Sequence, residues 1–418
     1  MIVVAGKNNI AVAALNHLIF DLGVPVKEIA VVCNQTENGM DHWQMSLRKR
    51  ARELKVKELT IEQAEKDASC FFSLEFDRIV RPERFRTDRV FNIHFSLLPK
   101  YKGMYTSIWP ILNGDSQSGC TLHLIDPGID TGDIIDQLAF ELSEEDCSAD
   151  LYLKYIKCSI ELFLRNASYL LSQDCKATKQ AKRESTYFSK QALDFRNIKI
   201  NFNNTAWSIG RQVKAFSFRP YQLPAVDGRC VVNYKILDNK SKVRPGALIG
   251  ETDEYVEYST IDYDILLYKD RQSDVFNAIR NGDVFRIDSL LNCLPSLEDR
   301  TKESWSMLMV AAFYGRQDIL EKLILLGADV NGINYKGTTV LMYAKDFALK
   351  SGDLSSFNLL LEYGANLFAK DLLHKDLNDY VRNNQAWNNL LTEQNRTEQN
   401  RTEQNRTEQN RTEQNSRK

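Results

Sequence analysis

Met1-Ile-Val-Val-Ala-Gly6-Lys-Asn-Asn9 opens the chain, and the reading of this stretch decides the fold. Five apolar residues, three of them β-branched, run into a glycine and then into an amphipathic stretch. That is the pattern of a buried strand, a tight turn and a helix. Apolar runs of the same kind recur at residues 28–33, 68–74, 89–95 and 119–125. Most of the intervals between them can hold a helix, so residues 1–180 read as an α/β domain with a Rossmann-like, mostly parallel, doubly wound sheet. The first turn carries one glycine rather than G-x-G-x-x-G, which argues against a dinucleotide site. Gly6 either serves the turn geometry or lines a ligand cleft.

The 418 residues are 43% hydrophobic and 26% charged, with a formal net charge of −2. Two or three domains are expected at this length. The near-neutral balance, with no basic block, argues against a nucleic-acid partner. No uninterrupted apolar run approaches the 18 or so residues of a membrane span, and the first segment lacks a basic leader. The eight cysteines are scattered without CxxC spacing. They read as reduced thiols in a cytoplasmic protein and suggest no metal site.

Residues 147–172 carry apolar positions at helical spacing and close the first domain. Residues 181–270 read as a smaller α+β region, with a helix near 204–215 and strands at Cys230–Leu237, Ala247–Gly250 and Tyr255–Tyr258. From 271 to 372 the pattern is a repeat. Asn281-Gly282-Asp283 returns 33 residues later as Tyr314-Gly315-Arg316, and again 37 further on as Ser351-Gly352-Asp353. This period, with Gly327-Ala-Asp-Val-Asn331, resembles α-helical ankyrin repeats. Two units are clear and the leading one is degenerate. The four additional residues are assigned to Lys345–Ser351, between the helices of the last unit. Residues 373–391 are read as a tail helix. Residues 392–418 iterate Thr-Glu-Gln-Asn-Arg, a composition that cannot bury a core.

The chemistry-bearing residues lie in two runs, Asn92-Ile-His94-Phe-Ser96-Leu-Leu98-Pro99 and Asp126-Pro-Gly128-Ile-Asp130-Thr-Gly132-Asp133. Asn92 and His94, two apart near a strand end, share one face. The carboxyl ends of parallel strands are where open α/β sheets receive ligands. The glycines of the second run let a loop carboxylate approach closely. An imidazole ordinarily titrates near pH 6.5 and takes up a proton at neutral pH. A carboxamide stabilises an oxyanion, and a carboxylate orients the base. His123 is read as a strand residue behind the site, and His17, His42 and His374 as surface or packing residues.

These runs resemble the 10-formyltetrahydrofolate-dependent formyltransferases, whose pattern Asn-x-His-x-Ser-x-Leu-Pro followed by Asp-x-Gly-x-Asp-x-Gly is filled at every fixed position. The resemblance implies Asn92, His94 and Asp130 as the catalytic trio. It implies Ser73, Leu74, Glu75, Phe76, Asp126 and Asp133 along the pocket for 10-formyltetrahydrofolate, with no metal. Lys214-Ala-Phe-Ser-Phe218-Arg219-Pro-Tyr221 resembles the segment beside the nucleotide in sugar N-formyltransferases. Phe218 or Tyr221 is then expected to stack on a thymine and Arg219 to meet a diphosphate, with Lys100 and Tyr105 also facing substrate. The ankyrin extension is similar to that of bacterial enzymes acting on dTDP-amino-dideoxyhexoses for O-antigen synthesis. That similarity implies a homodimer formed through the middle region and a dTDP-3-amino-3,6-dideoxy-D-glucose acceptor. The 4-amino isomer, methionyl-tRNA and a non-catalytic ankyrin adaptor stay open as alternatives. The ankyrin region is assigned either a protein partner or an auxiliary nucleotide-sugar site, and Trp305 is read either as packing against the neighbouring domain or as the stacking residue of that site.

Overall fold

The computed structural model describes residues 1–172, 175–181, 183–195 and 198–392; the Thr-Glu-Gln-Asn-Arg iterations from 393 onward lie outside the described residues. The chain divides into two compact units, Met1–Met307 with Asn334–Lys336 and Leu308–Ile333 with Gly337–Lys418.

The first unit begins β1 (Ile2–Gly6), α1 (Asn8–Asn16), β2 (Ile29–Cys33), α2 (Leu47–Glu53), β3 (Lys57–Glu58), α3 (Ile61–Asp67) and β4 (Cys70–Leu74). It continues β5 (Val90–His94), β6 (Lys102–Gly103), α4 (Trp109–Asn113), β7 (Gln117–Leu124), β8 (Ile134–Glu141) and α5 (Ser148–Ser172). Among the described residues, seven of these strands form one sheet in the order β3-β2-β1-β4-β5-β7-β8. β2 and β4 are buried along their whole length and β1 from its second residue on, which explains their unbroken apolar character. β5 pairs antiparallel with β7, and β7 with β8. β8 is absent from the sequence expectation because Ile-Ile-Asp-Gln-Leu-Ala-Phe-Glu mixes charge with apolar residues and buries none of them fully.

Next come β9 (Tyr187–Phe188), α6 (Ala206–Phe216), β10 (Ala225–Val226), β11 (Arg229–Ile236), β12 (Leu248–Glu251), β13 (Tyr255–Ser259) and β14 (Asp264–Lys269). β9 pairs with β6. β10 to β14 form an antiparallel sheet in the order β10-β11-β14-β13-β12. α6 covers it with Ile209, Val213 and Phe216, which join Val231, Val256 and Leu267 in one core.

The leading repeat, α7 (Gln272–Asn281) and α8 (Val284–Leu290), belongs to the first unit. It is tied there by Lys214, which is 2% exposed and donates to Pro295 O at 2.8 Å and Glu145 O at 3.1 Å. α9 (Met307–Phe313) and α10 (Gln317–Leu325) form the second repeat, α11 (Val340–Ser351) and α12 (Ser355–Glu362) the third, and α13 (Leu377–Val381) follows. The repeat register is visible in two matching bridges, Arg300 to Ser306 and Ile333 to Thr339. The four additional residues lengthen α11 rather than forming a loop, because Lys345–Ser351 carries no breaker before Gly352 caps the helix. The expected tail helix is broken at 382–384, between α13 and a second helical stretch at 385–392.

Gly6 decides the first turn. Its φ is +147°, and a Cβ there would lie 1.8 Å from Leu74 O, the atom that accepts from Lys7 N. Gly6→Ala is expected to cost roughly 2–4 kcal/mol as backbone strain plus overpacking. Urea unfolding checks this: the midpoint drops with little change in slope, and an unmoved midpoint refutes the account.

Candidate active site

β5 delivers Asn92 and His94 to the same edge of the sheet. Its register places Asn92 beside Ser73 of β4 and opposite His123 of β7, and His94 opposite Thr121. Thr121 anchors the turn that follows β5: its hydroxyl donates to Ser96 O at 2.7 Å and accepts from Leu98 N at 3.0 Å. Ser96 Oγ donates to Lys100 O at 2.7 Å. The turn thus folds back so that Tyr101 O sits 2.8 Å from His94 Nε2.

A carbonyl only accepts, so Nε2 of His94 carries a proton and donates it. Nδ1 is then the nitrogen free to take one up. It faces Asp130 Oδ2 at 3.5 Å. Asp130 adopts φ +53°, and the same oxygen accepts from Gly103 N at 2.8 Å. Protonation of His94 at Nδ1 thereby brings an opposite charge beside an already oriented carboxylate. All three proposed catalytic residues converge.

His123 is not merely behind the site. Its Nδ1 donates to Leu124 O at 2.7 Å, and its Nε2 receives the Asn92 amide at 3.1 Å. Burial pushes this imidazole below its ordinary range, so it stays neutral with a lone pair available on Nε2. One N–H of Asn92 is used in this way, and the amide plane is fixed while the other stays available. The signal in the sequence is the shared register of residues 92 and 123 on neighbouring strands, which needs the antiparallel pairing to be known.

Ser73 and Leu74 are buried strand residues. Glu75 follows the last ladder pair, Leu74 with Ile93, and turns out of the strand at φ +55°. Its carboxylate accepts from Tyr152 Oη at 2.6 Å and Asn8 Nδ2 at 3.1 Å, while Tyr152 Oη also accepts from Gln44 at 3.0 Å. Phe76 packs onto Phe71 in the core. In the 126–133 loop, Asp126 Oδ1 accepts from Gly128 N and Thr131 Oγ1, so this carboxylate shapes the loop. Asp133 closes the loop through its carbonyl, which accepts from Leu124 N. Ile129, at the loop tip, is 43% exposed.

Lys100 is exposed on the turn. Tyr105 packs edge-on to Phe195 at 4.9 Å against the core beneath α6 and stays partly exposed. Phe218 is buried, flanked by Trp43, Tyr152 and Tyr221, so its faces are covered. Tyr221 remains 59% exposed and is the ring available for stacking. Arg219 does not present a free guanidinium. It forks onto Asp270 at 2.7 and 2.9 Å and onto Asp299 at 3.0 and 3.1 Å. These two carboxylates hold the group firmly charged against its burial and use the donors a diphosphate would need. Trp43, in a polar stretch after β2, joins this aromatic cluster without being anticipated. Its only sequence signal is a lone Trp among polar residues.

Beside the cluster a small solvent-continuous cleft opens, lined among others by Trp43, Asp150, Phe218, Arg300, Thr301 and Ser304. Asn92, His94 and Asp130 do not line it. Trp305 sits in the adjoining turn, where its N–H donates to Thr301 Oγ1 and its carbonyl accepts from Thr301 N. Among the described residues, no three His, Cys, Asp or Glu side chains converge as metal ligands, and no helix is long and apolar enough to cross a membrane.

Burial pushes the Glu75 carboxyl up, opposed by its bonds from Tyr152 and Asn8 and by the Lys7 charge. A raised folded value favours the protonated fold. Its stabilisation is complete below the ordinary carboxylate range and is lost as pH rises through the raised value. Glu75→Gln is therefore expected to flatten the decline in stability as pH rises above about 4.5. Urea unfolding at several pH values tests this: parallel curves for variant and parent contradict it.

Residues 25–166 match the Formyl transferase family, and residues 275–371 match Ankyrin repeats in three copies. An N-formyltransferase from Helicobacter canadensis, solved with folinic acid and dTDP-3-aminofucose, is 40% identical over 64% of this chain and 98% of its own, with a TM-score of 0.59. WlaRD, a sugar 3N-formyl transferase solved in the presence of dTDP and 5-N-formyl-THF, is 40% identical over 64% and 97%, also at TM-score 0.59. Methionyl-tRNA formyltransferase of Clostridium tetani is 31% identical over 180 residues, 43% of this chain and 57% of its own. The chain spans about half the length of the curated relatives it matches.

Proposed function

The chain belongs to the formyl transferase family, and from that membership we propose that it moves a formyl group from 10-formyltetrahydrofolate to the amino group of a dTDP-linked amino sugar. The observation that carries the reading is the convergence of Asn92, His94 and Asp130. The free N–H of Asn92 donates to the oxygen that gains charge as the amine adds to the formyl carbon. Nδ1 of His94 takes the proton that the amine sheds, and Asp130 stabilises the imidazolium. As the new C–N bond forms, the bond from the formyl carbon to the donor nitrogen breaks, and the protonated His94 can return its proton to that leaving nitrogen.

The donor's polar bicycle needs main-chain donors and acceptors with apolar walls. The Leu74–Phe76 strand end and the Asp126–Asp133 loop, with Ile129 exposed at its tip, fit that need. Exposed Tyr221 and part-exposed Trp43 fit a nucleobase.

The acceptor we favour is dTDP-3-amino-3,6-dideoxy-D-glucose, supplied for O-antigen synthesis. A 3-amino position is supported by two 40%-identical relatives described with a 3-aminosugar or as 3N-formyl transferases. A cytoplasmic homodimer is the accompanying assembly. Trp305, beside the cleft, is assigned to an auxiliary nucleotide-sugar site that changes binding stoichiometry without altering the trio.

The test is formyl transfer from 10-formyltetrahydrofolate to a panel of dTDP-3-amino and dTDP-4-amino sugars and to methionyl-tRNA. Transfer to a 3-amino sugar is expected, with kcat falling about 10²–10³-fold in His94→Ala or Asn92→Ala. Undiminished turnover in either variant removes the site assignment, and transfer to tRNA alone overturns the acceptor.

A further inference from the structure

We infer that a strap of chain beyond the matched formyl transferase segment, carrying Gln180 and Thr186, positions the catalytic imidazole and carboxylate. The inference rests on the proposed roles of His94 and Asp130.

The strap touches the site from two sides. Thr178 exchanges backbone bonds with Ile134 at 2.7 and 2.8 Å, which lays the segment along the start of β8. Two residues on, Gln180 Nε2 donates to Asp130 O at 2.9 Å and to Gly132 O at 2.7 Å. Those carbonyls flank the catalytic loop's left-handed Asp130. Such a conformation is strained for a residue with a side chain and persists only where its surroundings hold it. Only the amide nitrogen can face two carbonyls, so the orientation of Gln180 follows from its partners. Its Oε1 is buried without a hydrogen-bond partner among the described residues, so the side chain is held through Nε2 alone.

Further along, Thr186 Oγ1 accepts from Tyr101 N at 2.7 Å, and Thr186 O accepts from Lys102 N at 3.0 Å. Tyr101 is itself left-handed, at φ +57°, and its carbonyl is the acceptor for His94 Nε2. β9 then pairs with β6, where Gly103 offers its N–H to Asp130. A Cβ on Gly103 would lie 2.2 Å from Phe188 O. Strap and catalytic turn are thus in direct backbone contact. Thr186 sets the acceptor that selects the His94 tautomer, and Gln180 sets the carboxylate facing the other ring nitrogen.

The experiment compares Thr186→Val, Thr186→Ser and Gln180→Leu in the full chain. Two readouts are used: formyl-transfer kinetics and the imidazole 15N shifts of His94. Thr186→Val is expected to lower kcat by about 10-fold or more with KM within about twofold, the signature of misplaced groups. It should also reduce the Nε2-protonated tautomer of His94. Thr186→Ser, which keeps the acceptor, should restore both. Gln180→Leu should lower kcat with the tautomer intact. Equal kcat and equal 15N shifts in folded Thr186→Val and Thr186→Ser overturn the inference. A parent chain that formylates no acceptor would defeat the proposed function, while the 15N comparison would still judge the strap.

Discussion

A single carboxylate oxygen, Oδ2 of Asp130, organises the site. It is held by the Gly103 amide at 2.8 Å and faces the free nitrogen of His94 at 3.5 Å. For this to occur, the loop after β7, which leaves beside the start of β5 where Leu124 pairs with Phe91, must fold back until Asp130 meets His94. The same pairing sets Asn92 against His123 and Thr121 beneath the turn that carries Tyr101. The register of the β5–β7 pair is therefore the constraint from which these contacts follow.

Around that centre, polar groups are paired to high completeness. Tyr152 Oη serves Glu75, Gln44 and Asn8 together, which lets three loops share one buried hydroxyl. Arg219 with Asp270 and Asp299 plays a comparable part on the other side of Phe218. Breaking one member of such a set strands a buried charge, a costlier event than losing the pair. Arg219 is thereby a strut that ties the Phe218 loop to β14 and the leading repeat. The exposed aromatic surface is left to Tyr221 and Trp43.

The leading ankyrin repeat shows why a degenerate repeat is tolerated. Its helices belong to the first compact unit, and Lys214 and Asp150 reach its turn through Pro295 and Ser296. A repeat normally buries its face against neighbours on both sides. Here one neighbour is the α+β region, so the departures from the repeat pattern occur where the partner differs. The two later repeats keep the regular turns, Gly327-Ala-Asp329 and Gly364-Ala-Asn366, and form a unit of their own.

What was legible in the sequence rests on local causes. Apolar runs bounded by turn residues located β1, β2, β4, β5 and β7, and helical spacing located α5 almost to the residue, because these patterns arise from burial and backbone geometry along a few neighbouring positions. Asn92, His94 and Asp130 stood out in the sequence through the resemblance of their two runs to the formyltransferase pattern. Other features depended on partners distant in sequence: β8, the bond from Asn92 to His123, the capture of Arg219 by two carboxylates, and the strap bonds from Gln180 and Thr186. Such contacts form only when the chain closes on itself, so they leave no local period or composition to read. By itself the sequence determined the order of elements and the chemical groups available to the site. The tertiary structure decided which nitrogen, oxygen and amide face one another, since hydrogen-bond direction is set by strand register and turn conformation rather than by residue identity.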